Sequence, residues 1–153
     1  VHKKHSNKNL YESLSAYGVG FHRHNSEIEQ ELNKISKKKV EFSFTPHLAP
    51  MFRGILSTIY VNIPKNTSVI KVYESLKKHY KNMQFIKIAK FNKAISTNDV
   101  MNTNNCLISV CKSKHRNKLI ILSAIDNLIK GGSGQGIQNM NIIYNFPISR
   151  GLV

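Results

Sequence analysis

The chain is short of several things, and each shortage excludes a class. No run approaches the roughly eighteen apolar residues that a membrane-spanning helix needs, although apolar residues make up 41% of the 153. That share is enough for a buried core, so wholesale disorder is excluded as well. Cysteines number two, Cys106 and Cys111, which cannot build a disulfide framework and point to a reducing, cytoplasmic setting. Acidic residues number 8 against 23 Lys and Arg, giving a net charge of +15. That charge invites a nucleic-acid reading. However, arginines are only four, and base and phosphate readers favour the bidentate guanidinium. Lys, Asn and Ile together exceed a third of the chain. Their codons are rich in A and T, so a biased genome accounts for the lysines as a solvated basic surface. No nucleic-acid or membrane partner is expected. There is no internal repeat and no low-complexity linker, and the length suits a single domain over 1–153. A start at Val1 rather than Met suggests a piece of something longer.

Periodicity predicts the elements. Leu10, Leu14 and Tyr17 are spaced for a short helix over 9–17. Ser26 and Glu29 have the capping-box form and predict a helix to about Ser36 that buries Ile28, Leu32 and Ile35. Val40, Phe42 and Phe44 alternate as in a strand, and Pro46 and Pro50 bracket a loop. Residues 55–63 read as a long strand, and Val69, Val72, Tyr73, Leu76 and Tyr80 as one face of a helix over Ser68–Tyr80. Residues 85–89 form a further strand, 92–104 a polar loop, and 106–111 and 119–124 paired strands. Then Gly131, Gly132, Gly134 and Gly136 interrupt a helical pattern, at about 1 kcal/mol each relative to Ala. That order is α+β, with a mixed, largely antiparallel sheet and flanking helices.

Four places hold residues suited to chemistry. His22, Arg23 and His24 precede a helix N-terminus, which attracts anions, and histidines exchange protons near neutral pH. His22 and His24 could start a zinc site, but no Cys or carboxylate spacing completes it. The loop between strands that begins at Thr45-Pro46 holds His47 and Arg53. A rare arginine suits carboxylate or phosphate recognition or, equally, a structural salt bridge. The glycine run lacks a phosphate-loop ending and the dinucleotide fingerprint, and by itself reads as close helix packing. The two cysteines read as small buried hydrophobes on opposite sides of one strand.

Taken together, three segments resemble one family, N-acetyl-gamma-glutamyl-phosphate reductase. They are His22-Arg23-His24 with Glu27-Ile28-Glu29-Gln30, then Thr45-Pro46-His47-Leu48 with Pro50-Met51 and Arg53-Gly54-Ile55. The third runs from Ala124-Ile125-Asp126-Asn127-Leu128 through Lys130-Gly131 and Gly134-Gln135 to Gln138-Asn139-Met140-Asn141. Thr103-Asn104-Asn105 and Arg150-Gly151-Leu152 also fall where the family has comparable stretches. Within the motifs, Asn25-Ser26 stands for the usual Thr-Pro, and Gly132 and Gly136 for alanines.

The resemblance implies an NADP-dependent enzyme that reduces N-acetylglutamyl 5-phosphate to the semialdehyde in arginine biosynthesis. It implies the fold of the C-terminal domain of the glyceraldehyde-3-phosphate and semialdehyde dehydrogenases. Such reductases begin with a Rossmann domain and a catalytic-cysteine segment. Neither is present here, so the chain is expected to be the substrate-side and dimerisation part, inactive alone and homo-oligomeric as a dimer or tetramer. His22 and His24 match the acid/base motif, with His22 favoured. Arg23, Glu27 and Arg53 are implied at the substrate. Gln138 and Asn139 are implied at the nicotinamide, on a C-terminal helix within 125–145 that packs on the Rossmann domain. The sister reductase acting on a carrier-linked aminoadipyl phosphate in lysine biosynthesis, and a non-catalytic assembly module, stand as alternatives.

Overall fold

The computed structural model describes residues 12–152, which divide into two compact units at Phe52. The first unit holds β1 (Ser15–Ala16), α1 (His24–Ser36) and β2 (His47–Leu48). The antiparallel pair joins Ser15 to Leu48 and Ala16 to His47. Tyr17 N–H extends it by donating to Pro46 O at 3.1 Å. This replaces the helix expected over 9–17, of which residues 9–11 lie outside the described residues. It also replaces the loop expected over His47–Ala49.

Helix α1 forms, but not through the expected capping box. It starts at His24, with Arg23 as its N-cap. Ser26 therefore lies inside the first turn, and its hydroxyl donates back to Arg23 O at 3.1 Å, the local bond that a mid-helix serine makes. The expected apolar face is only partly covered: Ile28 is half-buried, whereas Leu32 and Ile35 are exposed. Residues 40–44 alternate in exposure as a strand would, yet among the described residues they pair with nothing in a ladder. One cause is local, since Val40 N–H donates to Asn33 Oδ1 at 2.7 Å.

The second unit is a four-stranded sheet in the order β3-β6-β5-β4. Its strands are β3 (Ile55–Asn62), β4 (Ile86–Ile88), β5 (Cys106–Lys112) and β6 (Lys118–Ile125). Three strands run antiparallel, and β4 joins β5 in parallel. The sheet is thus mixed and largely antiparallel, as expected. Helix α2 (Val69–His79) turns inward the set that its spacing predicts. Tyr73 is buried, Val69, Val72, Leu76 and Tyr80 are half-buried, and the remaining helix positions are exposed. Ser68 caps it, its hydroxyl accepting from Lys71 N–H at 3.3 Å.

Ile95, Val100 and Ala124 pack as one core cluster with Leu107 and Leu122 against it, while the register puts the buried Val110 and Leu119 on the opposite face of the sheet. Val100 belongs to a 3-10 turn at Thr97–Val100, within the stretch expected to be a polar loop. Asp99 fastens that turn by accepting from Ser96 N–H at 2.8 Å. After β6 the chain makes a π-type turn at Ile129–Ser133 and enters α3 (Gly134–Ile143). Asn141, fully buried on α3, donates to Ile148 O and Arg150 O at 3.1 and 2.9 Å and so folds the tail against the helix.

Candidate functional site

The predicted residues fall into clusters in different units, and each cluster is described by itself. In the first unit, His22 lies just before α1 and His24 is its first residue. His22 is half-buried, while Arg23, His24 and Glu27 are exposed. The His22 ring meets Tyr17 and Phe44 edge-on, each at 5.4 Å between centroids, and the His24 ring at 4.7 Å. Gly18 makes this packing possible. It has φ +56°, and a Cβ there would sit 3.1 Å from the His22 ring.

The Nδ1 atom of His22 accepts from His24 N–H at 3.2 Å. An accepting Nδ1 carries no proton, so the neutral ring holds its proton on Nε2 and presents a donor there. The backbone of His24, not its side chain, sets that tautomer. Glu27 stands in the first turn of α1. His47, on β2, has the opposite tautomer, because its Nδ1 lies 3.1 Å from Thr45 O and a carbonyl can only accept. Among the described residues, no three His, Cys, Asp or Glu side chains converge to hold a metal.

In the second unit the centre is Asp126, which sequence reasoning quoted within a motif but gave no role. Its carboxylate is fully buried, and Arg53 is about one third exposed. Oδ2 accepts from Arg53 Nη1 at 2.7 Å and Asn102 N–H at 2.9 Å. Oδ1 accepts from Leu128 and Ile129 N–H at 2.9 and 3.1 Å. Burial alone would raise this carboxyl, but bonds from Asn102, Arg53, Leu128 and Ile129 outweigh it and hold the pKa down to about 2. The neighbouring Asn127 Oδ1 accepts from Gly54 N–H at 2.6 Å. Gly54 reaches it from φ +108°, a backbone region that only glycine enters freely. The Arg53 guanidinium makes no other hydrogen bond among the described residues.

Next to this centre lies the glycine turn. A Cβ on Gly134 would fall against Asn104 Oδ1, and 2.6 Å from Ile129 Cγ2. Close packing inside the chain therefore requires that glycine. Beneath it, Gln138 Oε1 accepts from Asn104 Nδ2 at 2.9 Å and Lys130 Nζ at 2.8 Å. With its carbonyl filled, Gln138 has only its Nε2 hydrogens to offer. Asn139 is exposed, and its Oδ1 accepts from Gln135 Nε2 at 2.8 Å. Burial lowers the Lys130 ammonium from its usual value, with Cys106 opposing that shift. Cys106 and Cys111 are both free and half-buried. An open groove of about 590 Å³, lined by Lys65, Lys112, Lys114, Arg116 and Lys118 among others, contains none of the predicted site residues.

Comparison with known proteins now places the chain. Residues 1–127 match the semialdehyde dehydrogenase dimerisation domain, and the chain belongs to that family. It is 49% identical over 143 residues to N-acetyl-gamma-glutamyl-phosphate reductase of Thermoanaerobacter pseudethanolicus, covering 91% of this chain and 42% of that protein. It is 50% identical over 141 residues to the protein of the same name from Vesicomyosocius okutanii, covering 92% and 40%. The chain thus spans about two fifths of the length of these curated relatives, and the family resemblance read from its motifs holds. The fold is shared with aspartate semialdehyde dehydrogenase from Francisella tularensis (TM-score 0.65, 16% identity, 88% of this chain and 40% of that one). It is also shared with aspartate semialdehyde dehydrogenase II from Vibrio cholerae (TM-score 0.64, 16% identity, 82% and 38%).

Proposed function

We propose that this chain is the substrate-side part of a reductase that converts N-acetyl-L-glutamyl 5-phosphate to N-acetyl-L-glutamate 5-semialdehyde and phosphate, in arginine biosynthesis. The names of its relatives, at 45 to 50% identity, favour this substrate over a carrier-linked aminoadipyl phosphate. In such a reaction a cysteine thiolate, outside this chain's motifs, displaces phosphate from the acyl group. NADPH, when bound, supplies hydride to the resulting thioester.

The observation that carries the proposal is the His22 tautomer. A proton on Nε2, set by the His24 N–H on Nδ1, is placed to be donated to the substrate oxygen as charge develops there. Three aromatic rings restrain the imidazole, which spares the reaction the cost of ordering it. Arg53, about one third exposed, keeps an outer guanidinium edge for the substrate's carboxylate or phosphate. Arg23 and Glu27, exposed beside the histidines, complete the substrate assignments. Gln138 fits an NADP nicotinamide, because its remaining donor suits a carboxamide oxygen, and Asn139 stands beside it on the exposed side of α3. Homo-oligomerisation is part of the same reading. Ile55 and Ile59 on one face of β3, and Leu56 and Tyr60 on the other, are all exposed, and exposed apolar side chains of this kind are what subunits cover.

The test is turnover of the complete reductase with His22→Asn and His24→Asn. His22→Asn is expected to cut kcat about 10²–10⁴-fold, the size of a lost general acid. His24→Asn keeps the backbone N–H and is expected to cost less than about tenfold. Wild-type turnover in His22→Asn removes the assignment.

A further inference from the structure

The Asp126 carboxylate divides its work between its two oxygens. Oδ1 faces forward along its own segment, taking Leu128 and Ile129 N–H and closing the turn that leaves β6. Oδ2 faces other parts of the chain. It takes the 102 loop through Asn102 N–H and, 73 residues away in sequence, the Arg53 guanidinium. The strand register brings these groups together. Ile55 pairs with Ile125 at the end of β3 and β6, so Arg53-Gly54 and Asp126-Asn127 are the residues just beyond the last rung. Both pairs then bond across, through Arg53 to Asp126 and Gly54 to Asn127. The strand end thus sets the backbone of Arg53, and Oδ2 sets its side chain.

A guanidinium has five N–H donors in one plane. Fixing Nη1 against a fully buried carboxylate fixes the plane and leaves its other edge outward. An arginine left free in water loses rotamer entropy on gripping a ligand, and an arginine already held has lost much of it before binding. The buried charge is itself compensated by three backbone N–H groups besides Arg53, so the carboxylate does not depend on the arginine for its own burial. Its arrangement is that of a socket: the anion is held by the backbone, and the guanidinium is seated on it.

We propose that Asp126 is a positioning residue for Arg53, its Oδ2 edge aiming the guanidinium at the anionic group of the substrate. This rests on the substrate role proposed for Arg53, and the test separates the two. In the complete reductase, Asp126→Asn with its amide nitrogen at the Oδ2 position keeps an oxygen for Leu128 and Ile129. It opposes donor to donor at Arg53 and Asn102. The expected result is a KM for the acyl phosphate raised about tenfold, with kcat changed less than about threefold. Arg53→Lys should raise KM by a similar factor. The double variant should be no worse than the poorer single one, because both act through one contact.

If Arg53→Lys raises KM and Asp126→Asn lowers only the melting temperature, Asp126 is structural and the inference is overturned. Independent, multiplying effects overturn it too. If Arg53→Lys leaves KM unchanged, the substrate role of Arg53 fails, and the positioning role with it. Should Asp126→Asn not fold, the socket is tested from the other side. Millimolar guanidinium added to Arg53→Ala should seat on Asp126 and lower the raised KM towards wild type. The absence of such rescue overturns the inference.

Discussion

The two units hold their predicted chemistry on different footings. Residues 53–152 hold Arg53 and Gln138 through side chains that are themselves fully buried, Asp126 and Asn104, and they also contain the buried residues of the sheet, Val110, Leu119 and Ala124 among them. Residues 12–52 contain no buried residue at all, although they carry His22 and His24. Their order comes from local devices: the His22–His24 bond, three ring contacts, and a two-residue strand pair. A segment that buries so little gains little hydrophobic free energy of its own. The comparison teaches that the arginine assignment is supported by tertiary structure and the histidine assignment by local structure. Stability measurements should therefore separate the units sharply.

The largest separation is expected in truncations. Leu119 is 1% exposed near the start of the inner strand β6, whereas Ile35 is 78% exposed on α1. Leu119→Ala should cost about 2–5 kcal/mol, the usual range for a buried leucine. Ile35→Ala should stay within about 0.5 kcal/mol. Urea unfolding followed by circular dichroism measures both. A comparable loss at Ile35 would show that α1 is covered in solution, and the contrast between the units would shrink.

A smaller effect sharpens the same contrast through pH. The Asp126 pKa is lowered from 3.8 to about 2. A carboxylate lowered on folding stabilises the native state above its unfolded pKa, and that contribution is lost as pH falls through the folded one. Stability should thus decline by about 2 kcal/mol between roughly pH 4 and pH 2. Asp126→Asn should flatten that part of the curve. If the variant and wild type lose stability in parallel over this window, other carboxylates control acid unfolding.

What was legible in the sequence follows the same divide. Helix α2 was read correctly because burial imposes the period that the reading relies on, and β3, which has no buried residue, was read from its β-branched and aromatic residues instead. Strands β5 and β6 were also read correctly. Residues 40–44 show the period without the strand: exposure alternates, but Val40 N–H goes to an Asn33 side chain. Alternation reports facing, and only a neighbouring backbone makes a ladder. The motifs named the family, since spacing along the chain survives in sequence. The Asp126 centre was not legible as a centre. Two of its four partners lie two and three residues away, but the others are 24 and 73 away, and only the β3–β6 register joins them. The glycine run was legible as close packing, and Gly134 against Asn104 is where that packing occurs.

The smallest predicted effect concerns two serines. Ser26 has the sequence form of a cap, yet it lies within α1 and donates to Arg23 O. Ser68, with no acidic residue in the first turn of its helix, caps α2 by accepting from Lys71 N–H. A cap satisfies a donor that the helix cannot, whereas a back-bonded serine adds a second donor to a carbonyl that needs none. Ser68→Ala should therefore cost about 1 kcal/mol. Ser26→Ala should be neutral, within about 0.5 kcal/mol. Were the order reversed in thermal unfolding, α1 would start later than His24 in solution, with Ser26 as its cap. The His24 N–H that sets the His22 tautomer would then precede the helix, and the acid/base geometry would need to be built from a different turn.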